Sequence, residues 1–250
     1  MCVISPRDDA DLLALDVATL FVLNRFGRTL HDNAPDRSPG PRFYLGGCGS
    51  ANVVRIRWDV GPDTAQALQR LAADEPPLRN PDSTPPHLDE YTHLLAAEAP
   101  IAHCTLGLTW CFPAALSYAH DVPLIASGTP AGDRLLARLA HQGLPQALLE
   151  LGFTSLDDFW PPWCAALQNG EIASIAFAAR LSPAAAETGV VTVQKFRGQG
   201  LAAAATAGWA AHPALRGRAL FYSTSRTNTS SQRVAARLGL RFFGASLSIA

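Results

Sequence analysis

The sequence predicts a mixed α/β fold, and three observations carry that prediction. From residue 122 onward the apolar patterns follow the order β-α-α-β-β-β-α-β-α-β. Asn169-Gly170 separates two apolar runs and supplies the positive φ angles of a tight hairpin turn. An apolar run ending at Val193 leads through Arg197-Gly198-Gln199-Gly200 directly into an Ala-rich stretch, which reads as strand, glycine loop and helix.

Along the chain, Leu15–Leu23, Arg42–Leu45 and Asn52–Val60 read as strands. Pro62 suits the first position of a helix running through Leu68 and Ala72. The Pro-rich connector 76–86 leads to a helix over His87–Glu98, and Ile101–Phe112 is β-like. Val122–Ala126 is a short strand, followed by helices over Gly132–His141 and Leu144–Leu151. Trp163–Leu167 and Glu171–Arg180 form the hairpin, and Ala186–Val193 is the next strand. Leu201–His212 is a helix stopped by Pro213, Leu220–Thr224 a strand, Ser230–Leu238 a helix closed by Gly239, and Leu240–Ile249 a last strand. The expected division is a smaller α+β domain over 1–119 and a second domain over 120–250, an ordinary size for independent folding.

Composition narrows the function classes. At 48% apolar and 16% charged, the chain reads as globular with a full core. There is no run of about 18 apolar residues to span a membrane. Met1–Asp11 has three Asp and no apolar segment, unlike a secretory signal, so the expected location is the cytoplasm. The five cysteines, Cys2, Cys48, Cys104, Cys111 and Cys164, are odd in number and show no CxxC spacing, which disfavours disulfides and zinc, and no metal is expected.

Charge is distributed unevenly. Every carboxylate lies at or before Glu187, and 188–250 carries eight basic residues, giving +8 there against −9 for the rest. A segment without carboxylates attracts an anion. The loop supplies a seat for one: Gly198 and Gly200 allow close backbone approach, and the first N–H groups of the following helix lack intrahelical partners. A dinucleotide site would require an acidic residue about 20 positions further on, where none exists, and a Walker loop would require Gly-Lys-Ser/Thr. The late arginines are not interleaved with aromatics, which disfavours nucleic acid.

Arg197-x-x-Gly200-x-Ala202 resembles the R/Q-x-x-G-x-G/A signature of the GNAT superfamily of N-acetyltransferases. About 30 residues on, Asn228-x-x-Ser231 leading to Leu238-Gly239-Leu240 is similar to the family's last helix. The resemblance covers roughly 120–250 and implies a mixed twisted sheet with flanking helices. It also implies acetyl-CoA (acyl-CoA) as co-substrate in a V-shaped splay between two strands. The pyrophosphate would take the N–H groups of Gly198, Gln199, Gly200, Leu201 and Ala202 beside Arg197. The pantetheine would pair with the backbone of Val190, Val191 and Thr192, and Asn228 and Ser231 would contact it. Asn228 reads equally as a helix N-cap, and Thr229 with Gln232 fits a capping box.

The implied reaction is transfer of an acetyl group to a primary amine of a small molecule or peptide, with residues 1–119 shaping the acceptor side and a homo-oligomer allowed. Glu187 would take the amine proton through water. The family's acid, a Tyr four residues before the closing Gly, is replaced by Ala235. Tyr222 and Ser223 are the nearby alternatives, of which strand alternation lets only one face the ligand. The missing Tyr also admits a non-catalytic acyl-CoA-binding module. His212 reads as a helix end, and Cys164, Trp160, Trp163 and Trp209 read as core.

Overall fold

The computed structural model describes residues 8–250, so Cys2 lies outside the described residues. In chain order the elements are α1 (Asp9–Leu20), β1 (Phe21–Leu23), β2 (Thr29–Asp32), β3 (Phe43–Gly47), β4 (Asn52–Ile56), α2 (Pro62–Ala73), α3 (Leu88–Ala96), β5 (Cys104–Cys111), β6 (Leu124–Ala126), α4 (Pro130–Gln142), α5 (Gln146–Leu149), β7 (Trp163–Gln168), β8 (Glu171–Leu181), β9 (Ala185–Thr192), α6 (Leu201–Ala210), β10 (Ala219–Ser225), α7 (Thr229–Arg237) and β11 (Arg241–Ile249). The mixed α/β class and the element order after residue 122 are as the sequence predicts.

One prediction fails at the start. The apolar run Leu15–Leu23 is helix through Leu20, and only its last three residues form a strand. The Asp8 carboxylate accepts the Asp11 N–H at 2.7 Å and caps the first turn. Leu13 and Val17, four residues apart, are both buried, the helical spacing of a core stripe. The β1–β2 hairpin that follows has no strand signal in its second half, because β2 (Thr-Leu-His-Asp) has too little apolar content to read as a strand.

The chain forms two compact units; their first boundary falls between 111 and 112 rather than at 119, and two later stretches join the first unit. The first contains the described residues up to 111 together with 223–229 and 241–250; the second contains 112–222 and 230–240. In the first unit β11 lies between β3 and β5 and is antiparallel to both, and β4 pairs with the far edge of β3. Its core joins Phe43, Leu45 and Ile56 from this sheet with Leu68 of α2, Tyr91 and Leu95 of α3 and Leu247 of β11. Sequence-adjacent reasoning cannot find this arrangement, because the strand that completes the N-terminal sheet comes from the last ten residues.

The second unit has strand order β10-β9-β8-β7-β6, with β10 and β9 parallel and the other pairs antiparallel. The β7–β8 hairpin turns on Asn169 (φ 54°) and Gly170 (φ 79°), the primed turn that the dipeptide predicts. Trp209 of α6 packs with Cys164, Ala176 and Ala186 in one core. Leu135 and Leu139 of α4, Leu148 and Phe159 pack with Ala165 and Ile175 in another. Helix α6 is Ala-rich, and its buried Ala203, Ala204 and Ala205 let it lie close to the strands.

Candidate functional site

The loop 193–200 joins β9 to α6. Gly198 (φ 78°) and Gly200 (φ 83°) are both left-handed, a conformation that costs glycine nothing and other residues roughly 1–2 kcal/mol. Gly200 is the N-cap of α6, and no side chain caps the helix. The first N–H groups of α6 therefore lack side-chain acceptors, and the helix dipole adds partial positive charge. Arg197 turns its Nε toward the Thr192 carbonyl at 3.4 Å, Gln199 bonds Gln168 at 2.8 Å, and Lys195 is ion-paired with Glu171. Leu201 is buried and Ala202 partly exposed in the first turn.

The last residues of β9 present an open edge. Pairing with β10 stops at Thr188↔Tyr222, whereas pairing with β8 continues to Thr192↔Ser174. Val193 N–H donates to Ala173 O at 2.9 Å, so alternation turns the N–H and C=O of Thr192 and Val190 away from β8. Val191 instead directs its carbonyl to the β8 side, where it accepts the buried Ser174 hydroxyl at 2.7 Å. Ser174 Oγ also lies 2.9 Å from Thr192 Oγ1 and fixes that side chain. Of the three residues expected to pair with pantetheine, two have polar groups toward the open edge.

The two candidate catalytic residues are not brought together. Glu187 is in register with Phe221, and Thr188 with Tyr222, so strand alternation puts Glu187 and Tyr222 on opposite faces. Glu187 is 8% exposed and stands directly across from Arg180 of β8. It is a buried residue near the start of β9. Tyr222 is 1% exposed, and its hydroxyl is 2.6 Å from Ser231 Oγ of α7. Burial pushes the Tyr222 phenol up, and the Ser231 hydrogen bond opposes this. Two residues that the sequence singles out separately, Tyr222 and Ser231, thus form one pair. Ser223, the alternative on the same strand, is exposed.

Asn228 is exposed immediately before α7, its N–H donating to Ser225 O at 3.0 Å. Ala235 is fully buried. His212 accepts the Ala214 N–H on Nδ1 at 3.1 Å, which places its proton on Nε2, facing Ser127 O at 2.9 Å. It caps the turn that follows α6, two residues beyond the end of that helix, which the sequence placed at His212 itself. Cys164 is 1% exposed, and burial pushes its thiol up to about 12, far from a reactive thiolate. Trp163 and Trp209 are buried core residues, whereas Trp160 is only partly buried. Among the described residues no group of three or more His, Cys, Asp or Glu could hold a metal ion, and no helix is long and apolar enough to cross a membrane.

An uncapped helix N-terminus stands behind two left-handed glycines, at the end of a strand with an open edge, in an α/β unit. Residues 149–245 match the family model described as GNAT acetyltransferase. The family implies acyl transfer from acyl-CoA. No curated protein matches the chain.

The chain is similar to a protein from Novosphingobium aromaticivorans assigned to the GNAT acetyltransferase family, at 22% identity, 60% of this chain, 66% of that one and TM-score 0.44. It therefore spans just under two thirds of that protein's length. It is also similar to a GNAT acetyltransferase from Colwellia psychrerythraea, at 16% identity, 82% and 81% of the two chains and TM-score 0.44. A GCN5-related N-acetyltransferase-like protein from Streptococcus suis shows 16% identity over 97% and 100% of the two chains, with TM-score 0.41.

Local patterning misses two residues that the structure places beside the expected site, Ser174 and Arg237. Ser174 reaches Val191 and Thr192 across a hairpin, and Arg237 reaches Gly200 from another helix. No local signal marks either.

Proposed function

We propose that this chain transfers an acetyl group from acetyl-CoA to a primary amine of a small molecule or peptide. The observation that carries the reading is the uncapped start of α6 behind Gly198 and Gly200, next to the open edge at Val190 and Thr192. These features fit acyl-CoA: the N–H groups of the loop and first turn suit its diphosphate, and the strand edge suits its amide-bearing arm. Acyl-CoA supplies the activated acyl group. Gly198 to Ala202 hold the phosphate with Arg197 beside them, Val190 and Thr192 align the arm, and the Val191–Thr192 segment stiffened by Ser174 keeps that edge in place. Asn228 and Ser231 are proposed contacts of the arm. Glu187 is the proposed acceptor of the amine proton through water. Tyr222 is the proposed proton donor to the leaving thiolate; its buried phenol acts only through the Ser231 hydroxyl it holds.

A second reading, a non-catalytic acyl-CoA-binding module, is favoured by Ala235, which is buried where the family's Tyr would stand. Thermal shift with CoA, acetyl-CoA and NAD, followed by thiol release over a panel of amines, distinguishes the readings. CoA and acetyl-CoA should stabilise the protein by about 2.7 kcal/mol at a hundredfold excess over Kd, and NAD should not. Thiol release that is about 10²–10⁴ slower in Glu187→Gln, with acetyl-CoA affinity unchanged, supports the enzyme. Tight binding without release from any amine supports the module, and a shift with NAD alone removes both.

A further inference from the structure

A second cation, besides Arg197 in the loop itself, stands where it can engage an anion at the loop. A Cβ built on Gly200 would stand 2.6 Å from Nη1 of Arg237, so the Arg237 guanidinium lies against the backbone at the start of α6. The Tyr118 hydroxyl stands 3.8 Å from the same point. Arg237 is in the last turn of α7 and is exposed. A basic residue there ordinarily complements the helix dipole. Yet Arg237 makes no hydrogen bond or ion pair within the described residues, while its neighbours at the loop are engaged. Lys195 is held by Glu171, and Arg197 points Nε at the Thr192 carbonyl.

We infer that Arg237 is a second anchor for the phosphate at this loop, so that the anion is gripped by backbone N–H groups and by a guanidinium together. The inference rests on reading the loop as the acyl-CoA phosphate seat. A guanidinium presents paired donors that match two phosphate oxygens, and the pair is stronger than a neutral hydrogen bond. It also gives Gly200 a second reason to be glycine. Besides its left-handed φ, any side chain there would displace the guanidinium from the place where it meets the anion.

The test is titration calorimetry of the full chain and of Arg237→Ala, Arg237→Lys and Arg233→Ala, with acetyl-CoA and with S-acetylpantetheine, which lacks the phosphates. Arg237→Ala should weaken acetyl-CoA binding about tenfold or more, and Arg237→Lys should recover part of it. Arg233→Ala, one turn earlier, should match the parent, and S-acetylpantetheine should bind parent and Arg237→Ala alike. Raising the salt concentration should weaken acetyl-CoA binding less steeply in Arg237→Ala than in the parent. Acetyl-CoA affinity of Arg237→Ala within twofold of the parent overturns the inference and leaves the proposed function standing. If the parent does not bind acetyl-CoA, the proposed function falls, and inorganic pyrophosphate becomes the probe. Binding of pyrophosphate that is lost in Arg237→Ala keeps the anchor, and binding by neither protein removes it. Should Arg237→Ala lose its circular dichroism spectrum, Arg237→Lys decides on the same twofold criterion.

Discussion

Arg28 and Arg42 in the first compact unit and Arg237 in the second use their guanidiniums in opposite ways. In the first unit Arg28 donates to the carbonyls of Arg57 at 2.8 Å and Val60 at 2.7 Å. In the same unit Arg42, only 6% exposed, donates to Ala99 O at 3.0 Å and pairs with Glu98 at 3.4 Å. These guanidiniums tie separate chain segments together, and their donors are spent on the protein. In the second unit Arg237 lies exposed against Gly200 with no protein partner among the described residues. An arginine with a full set of carbonyl and carboxylate partners is structural, while one held in place with its donors uncommitted is available to a ligand. The units differ in the same sense in how they are assembled. The first draws on three stretches of chain and the second has its loop and helix contiguous in sequence.

The sharpest way to break this contrast is truncation. A chain beginning at residue 112 keeps β11 but removes β3 and β5, both of its strand neighbours, along with most of the first unit's core. Each buried Leu or Phe that loses its environment forfeits about 1.5–3 kcal/mol, against a typical total stability of about 5–15 kcal/mol. The truncated chain should be insoluble or lack cooperative unfolding. That outcome would argue against an independently folding segment from residue 120. A soluble truncated protein with a sharp thermal transition would restore that expectation.

Gly200→Val comes next in size. A β-branched residue at φ 83° carries strain of about 1–3 kcal/mol and displaces Arg237 as well. Gly198→Val has similar backbone strain but meets nothing within 4 Å. Both variants should lose acetyl-CoA affinity because a side chain enters the phosphate's space, and Gly200→Val should lose more. Calorimetry on the pair settles the order, and equal affinities in both would separate Arg237 from the site.

The smallest expected effect is electrostatic and lies away from the loop. Asp158 accepts the N–H groups of Thr154 at 2.6 Å and Ser155 at 2.8 Å, and these bonds hold its carboxyl below the usual carboxylate range. A carboxyl with a depressed folded pKa contributes stability that is present above the unfolded value of about 3.9 and is lost as pH falls through the folded value. Asp158→Asn should therefore melt lower than the parent at pH 7, and the difference should shrink as the pH is taken below about 4. A difference in melting temperature that does not change with pH would assign the effect to packing instead.

What the sequence determined by itself was local. Glycines that need positive φ, a proline at a helix start and an Asn-Gly turn constrain the backbone within a few residues, so the β7–β8 hairpin, α2 and the loop before α6 were legible. The uncapped start of α6 was legible for the same reason, since the residues that turn the chain also leave its first N–H groups without a side-chain cap. Tertiary structure alone decided which segments share a core and that Glu187 and Tyr222 face opposite ways. It also decided that Tyr222 and Ser231 meet and that Arg237 lies on Gly200. Register and long-range packing set these facts, and a one-residue slip in register would turn every side chain of a strand to the other face. The energies that choose among such arrangements come from buried contacts between residues up to two hundred positions apart, such as those between β3 and β11, and no local pattern records them.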